Sequence, residues 1–143
     1  VVADLAGSPL RDGHPTFDFI IADVPCSGSG TWSRTPEQLY YFELPGIAKY
    51  AALQKKIISN TVNHLKAGGY YLYITCSVFK KENEEAVDFI QQQEGLQLVR
   101  KELMALSWYT PSVLGLGCTV TGLFTGGVAD RQGDETASVV VSI

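Results

Sequence analysis

The chain contains no uninterrupted apolar run of about 18 residues, the length a membrane-crossing helix needs. No basic segment leads into an apolar stretch near its start either, so no secretory signal is expected among these residues. The first residue is Val1 rather than Met, and that expectation extends no further than the residues themselves. Cysteine is sparse: Cys26, Cys76 and Cys118, separated by 50 and 42 positions. No C-x-x-C pair occurs, and neither His14 nor His64 stands at ligand spacing from a cysteine, which argues against a zinc site or a disulfide framework. Free thiols in a reducing, cytoplasmic compartment are the expectation. Basic residues are also short, 11 against 15 acidic ones for a net charge of −4. A domain that tracks phosphates by itself carries a basic surface, so this charge balance argues against a self-contained nucleic-acid binder. The glycines at 28 and 30 are not followed by Lys-Ser or Lys-Thr, which excludes a P-loop.

What remains is ordinary globular material. The 143 residues are 45% hydrophobic and 18% charged, enough for one domain with a core. The segment Phe17 to Val24, FDFIIADV, reads as a strand covered on both faces and ends at Pro25. After Gly46, Tyr50, Leu53, Ile57, Ile58, Thr61 and Leu65 recur at three- and four-residue steps and predict a helix, with Gly68-Gly69 as its stop. A second buried-type strand runs from Tyr70 to Ser77. Lys80 to Glu94 predicts another helix, with Ala86, Phe89 and Ile90 inward and Gly95 closing it. Its KKENEE start reads as a solvated face whose acids favour a helix N-terminus. Then come LQLV at Leu96 to Val99, a Gly-rich loop from Trp108 to Gly117, a short VTGLFTG strand, and ASVVVSI. The last two are predicted to form an antiparallel hairpin. Alternating strands and helices imply an open α/β sheet with parallel strands.

In such sheets ligands bind at the carboxyl ends of the strands. Cys26 follows DVP at one strand end and Cys76 lies within TCS at the next, while Asp4 and Asp23 also fall at strand ends. Each taken alone has a plain reading: a small core thiol, a loop cap, a flexible SGSG connector. Cys118, in a Gly-rich loop, is read as structural.

The combination is more specific. DVPCSGSGT, then TCSVFKKENEE with Cys76 53 positions after Asp23, closely resembles the Fmu/Sun family of RNA cytosine-5 methyltransferases, the RsmB-like ribosomal RNA enzymes. That family's signatures are D-x-P-C-S-x-x-G and T-C-S followed by E-N, and WSRTPE resembles its Arg-x-x-Pro-Asp/Glu loop. The resemblance spans Val1 to about Ile90. It implies a Rossmann-like methyltransferase fold that uses S-adenosylmethionine and acts on RNA, ribosomal RNA first among candidates. It assigns Cys76 as the nucleophile that adds to cytosine C6, and Cys26 as the thiol that assists proton loss and product release. Asp23 would meet the cytosine edge and lie beside the cofactor, with Asp4 and Pro25 also on the cofactor and Arg34 on an RNA phosphate. The family's Gly-rich cofactor loop and its RNA-binding domain have no counterpart here. The resemblance therefore implies the C-terminal portion of a catalytic domain, with weak cofactor binding, no activity in isolation, and an exposed sheet edge open to self-association. A DNA methylase would place its nucleophile in P-C-Q, and an amino-group methylase would carry D-P-P-Y without a thiol. A non-catalytic RNA-binding or assembly module with the same fold is the alternative from another class.

Overall fold

The computed structural model describes Leu5, Gly7 and residues 15–103, 120–125 and 138–142. They form a five-stranded mixed sheet with helices α1 (Glu37–Tyr41), α2 (Leu44–Val62) and α3 (Glu84–Gln92). The strands are β1 (Phe17–Asp23), β2 (Leu65–Thr75), β3 (Gln97–Leu103), β4 (Val120–Thr125) and β5 (Ser138–Ser142), in the order β3-β4-β2-β1-β5. β1 lies parallel to β2 on one side and to β5 on the other. The α/β class with parallel strands is as the sequence predicts. The terminal hairpin is not. β4 runs antiparallel to both β2 and β3 and so has both edges occupied, while β5 pairs with β1. Partner choice between distant strands, rather than nearness in sequence, decides this pairing. It also covers the outer edge of β1, leaving β3 and β5 as the edge strands of the described sheet.

The core lies on one face of the sheet. Ile20 and Ala22 of β1, Tyr71 and Tyr73 of β2 and Phe124 of β4 pack against Ile57, Ile58 and Val62 of α2 and against Ala86, Val87 and Ile90 of α3. Side chains alternate along a strand, so Ile21, Leu72 and Ile74 face the other way. They are only half-buried among the described residues, where the apolar runs predict cover on both faces. Leu5 joins the core, and its carbonyl accepts a 2.8 Å hydrogen bond from Asn60 Nδ2.

Two local predictions fail for identifiable reasons. α2 starts with Pro45 in its first turn, where a missing N–H costs nothing, and stops at Val62, before the glycine pair. Gly68 and Gly69 instead lie in β2, in an irregularity where Phe17 pairs with Leu65 but Phe19 with Tyr70. Gly68 has φ 76°, and a Cβ on Gly69 would sit 2.9 Å from the carbonyls of Asp18 and Lys66. The pair is needed for a bulge, not a helix stop. The helix predicted over Lys80 to Glu94 is likewise interrupted. A 3-10 turn over Lys80–Glu82 ends at Asn83, whose φ −112° and ψ −89° break the path before α3 begins. That break turns Glu82 into the protein.

Candidate active site

β1 and β2 are adjacent and parallel, so the segments leaving their carboxyl ends meet. Val24 N–H donates to Ile74 O at 3.2 Å, carrying the pairing one residue past Asp23. Pro25 then ends the ladder, and its carbonyl accepts from Gln54 Nε2 at 2.9 Å. The next residue is Cys26, and its Sγ lies 3.0 Å from Cys76 Sγ. Both are free thiols and half-buried. The structure thus brings together the two cysteines that the sequence singles out.

The SGSG segment is fixed rather than flexible. Gly28 takes φ 67°, which glycine adopts without strain, and its carbonyl accepts from Thr31 Oγ1 at 2.7 Å. Gly30 N–H donates to Cys76 O at 2.8 Å. Ser29 Oγ accepts from Val78 N–H at 2.9 Å, so each thiol-bearing loop braces the other. Beyond them, Phe42 and Phe79 stack at 5.5 Å and Trp32 lies edge-on to Phe79 at 6.0 Å, which ties the WSRTPE segment to the loop after Cys76.

The thiols share protons unequally. The hydrogen-bonding contact with the Cys76 thiol is the main reason the Cys26 pKa falls from its ordinary 9.0 to about 6. Burial opposes that fall, while the Gly28 backbone and the Thr75 hydroxyl assist it. The same contact pushes the Cys76 thiol well up, and burial and the negative charges of Cys26 and Asp23 add to the effect. The two sulfurs titrate as a pair, the contact favouring charge on one and a retained proton on the other. The sulfur in contact with Cys76 is that of Cys26, so a proton can pass between them.

Asp23 stands at the end of β1 with an exposed carboxylate that has no partner among the described residues. Its negative charge is a minor contributor to the upward push on the Cys76 thiol. Arg34 is exposed on the turn after Thr31, and its guanidinium makes no hydrogen bond or ion pair with any described residue. Pro25 is half-buried with its carbonyl already engaged. Asp4 and Cys118 lie outside the described residues, as does the Trp108 to Gly117 loop.

A residue read from sequence as a solvated charge belongs to this site. Glu82 is 0% exposed. Its carboxylate accepts from Ser27 N–H at 2.9 Å, from Ser27 Oγ at 2.6 Å and from Ser77 Oγ. Asn83 Nδ2 donates to Ser77 O at 2.7 Å. Tyr73 OH donates to Glu82 O at 2.8 Å and approaches Gln54 Oε1 at 3.2 Å. The signals available were the E-N that follows T-C-S in the resembled signature and a glutamine inside an otherwise apolar helix stripe.

An open α/β sheet with its polar constellation at the ends of two adjacent parallel strands defines the class, an S-adenosylmethionine-dependent methyltransferase fold. A solved structure of a protein designated PH0851 superposes with a TM-score of 0.61 at 26% identity, over 76% of this chain and 26% of that one. The NSun6 of Pyrococcus horikoshii, solved with SFG, gives a TM-score of 0.66 at 22% identity, over 90% of this chain and 34% of that one, a likeness of fold. The model of the 16S rRNA methyltransferase RsmB/F family matches residues 1–116, and the chain belongs to that family. Ribosomal RNA small subunit methyltransferase B of Serratia proteamaculans is 41% identical over 88 residues, 61% of this chain and 20% of that protein. Methyltransferase F of Shewanella piezotolerans is 34% identical over 77 residues, 54% of this chain and 16% of that protein. The chain thus matches about a fifth of the length of these relatives. Among the described residues, no helix is long and apolar enough to cross a membrane, and no group of His, Cys, Asp and Glu is arranged to hold a metal ion.

Proposed function

We propose that these residues supply the thiol-bearing part of an RNA cytosine-5 methyltransferase that acts on ribosomal RNA in the cytoplasm. The observation that carries the reading is the 3.0 Å contact between two free thiols at adjacent parallel strand ends, beside an unpartnered aspartate. One thiol is enough for nucleophilic addition. A second in contact with it gives that nucleophile a proton acceptor and gives the later step its base.

When bound, S-adenosylmethionine supplies an electrophilic methyl group on a sulfonium sulfur. The free carboxylate of Asp23 suits an amino or hydroxyl group of such a ligand, and the Pro25 ring offers an apolar surface; Asp4 is proposed for the adenine side. Cytosine C5 is a poor nucleophile until a thiolate adds at C6. Cys76 passes its S–H proton to the Cys26 thiolate, and its sulfur bonds C6. The C5=C6 pair moves onto C5 and makes it the nucleophilic carbon that a bound methyl sulfonium would alkylate, its sulfur keeping the electron pair of the S–CH3 bond. Asp23 accepts a hydrogen bond from the cytosine amino group and so fixes the orientation of the base as the sulfur adds. Cys26, having released its proton to water, takes the proton from C5. The double bond re-forms as the Cys76 sulfur leaves. Arg34, exposed beyond the thiols, suits an RNA phosphate.

The test is nucleoside analysis of RNA incubated with S-adenosylmethionine and a protein of the relatives' length carrying these residues. The expected product is 5-methylcytidine, absent with Cys76→Ala. N4-methylcytidine would overturn the reading, and RNA binding without methylation would place the chain with binding or assembly modules.

A further inference from the structure

We propose that Glu82 is the positioning residue of the thiol pair, its buried carboxylate clamping the loop after β1 to the loop after β2. The three groups that donate to it belong to Ser27 and Ser77, the residues next to Cys26 and Cys76. Within this network the Glu82 carboxylate binds both neighbours at once. The network also closes on itself. From Pro25, immediately before Cys26, it runs through Gln54 and Tyr73 to the Glu82 carbonyl, and through the Glu82 carboxylate back to Ser27, immediately after Cys26. Each thiol loop is therefore held at a residue adjacent to its cysteine.

Stability alone does not account for this arrangement. A carboxylate with no exposure is costly to bury, and a packed apolar side chain of similar size commonly serves a core better. No ion pair offsets the cost among the described residues, where the one salt bridge joins Lys66 and Asp18. The neighbouring Lys80 and Lys81 are exposed. What the carboxylate supplies, and an apolar residue cannot, is several acceptor sites for donors arriving from two separate loops. Its service to methyl transfer rests on the function proposed above; the clamp itself does not.

The experiment reads the thiol pair directly, on this chain, in glutathione buffers of graded ratio. Cys26 and Cys76 lose two protons and two electrons as their S–S bond forms, and one oxidised glutathione is reduced to two thiols. The equilibrium gives the effective concentration of one sulfur at the other. Glu82→Ala is expected to lower it at least about tenfold, the scale of hydrogen bonds to a charged group. Glu82→Gln, which keeps one acceptor oxygen, and Ser77→Ala, which removes one donor, should each fall between. Tyr71→Phe is the matched control. It removes a buried hydroxyl bonded at 2.8 Å to Thr61, away from both loops, and should leave the equilibrium unchanged. Equal shifts in Glu82→Ala and Tyr71→Phe would reduce Glu82 to a stabilising role and overturn the proposal. So would a wild-type equilibrium in Glu82→Ala or, if that variant does not fold, in both Glu82→Gln and Ser77→Ala. Neither RNA nor methyl donor takes part, so failure of the cytosine chemistry leaves this result standing. In the methylating protein, Glu82→Gln should lower kcat with little change in KM for RNA, because the clamp touches sulfur loops rather than RNA.

Discussion

Removing the Cys76 thiol should raise the pKa of Cys26 by most of the three pH units that separate about 6 from 9.0. The Cys76 S–H is the largest contributor to that fall, and burial acts against it. Cys76→Ala deletes the donor and leaves the burial, so Cys26 should return to the ordinary thiol range or pass above it. Cys76→Ser retains an O–H donor and should keep Cys26 low. The assay is iodoacetamide alkylation of Cys26, followed by peptide mass spectrometry from pH 4.5 to 10. Absolute rate is a poor guide. At pH 7 a thiol of pKa 6 is about 90% ionised and one of pKa 9 about 1%, but lower basicity reduces intrinsic nucleophilicity by about 20-fold over three units. The net gain is only about fourfold. The midpoint of the profile is decisive: near pH 6 in the wild type and Cys76→Ser, and 8.5 or higher in Cys76→Ala. A wild-type midpoint in the ordinary range, or one that ignores Cys76→Ala, would refute the shared-proton account.

The same pair makes stability depend on pH. The lowered Cys26 value contributes stability that is present above the ordinary thiol pKa and lost as pH falls through about 6. The raised Cys76 value acts oppositely, so stability should decline again above pH 9. Allowing for solvent screening of half-exposed sulfurs, urea unfolding should show a rise of about 1–2 kcal/mol between pH 6 and 9, absent in Cys26→Ala. Gly69→Ala should cost about 1–3 kcal/mol in thermal unfolding, because the new Cβ meets two backbone carbonyls at 2.9 Å and neither is the end of a flexible side chain. Gln54→Ala should cost about 2 kcal/mol in the same measurement, since it strands the Pro25 carbonyl and removes a partner of the Tyr73 hydroxyl.

The central strands and the thiol positions were legible because their signals are local. An apolar run that stops at Pro25 marks a strand end, and TCS after another run marks the next; adjacency of parallel strands does the rest. The misreadings all turn on information from elsewhere in the chain. Gly68-Gly69 after an amphipathic stripe looks like a helix stop, and only pairing with Phe17 and Phe19 reveals a bulge. The strands at 120–125 and 138–142 look like a hairpin, yet β2 and β1 offer them better partners. KKENEE reads as solvated charge by composition, while the backbone break at Asn83 turns two of its residues inward, Glu82 and Asn83. Arg34 is an exposed cation on the turn after Thr31.

The central claim is that Cys76 bonds the base and Cys26 releases it. It is tested most directly by incubating RNA and S-adenosylmethionine with a protein of the relatives' length that carries these residues and Cys26→Ala, and resolving the products on a denaturing gel. The account predicts a nuclease-sensitive covalent adduct that accumulates with Cys26→Ala and disappears when Cys76→Ala is added. An adduct that survives Cys76→Ala, or none at all while RNA and the methyl donor both bind, would contradict it.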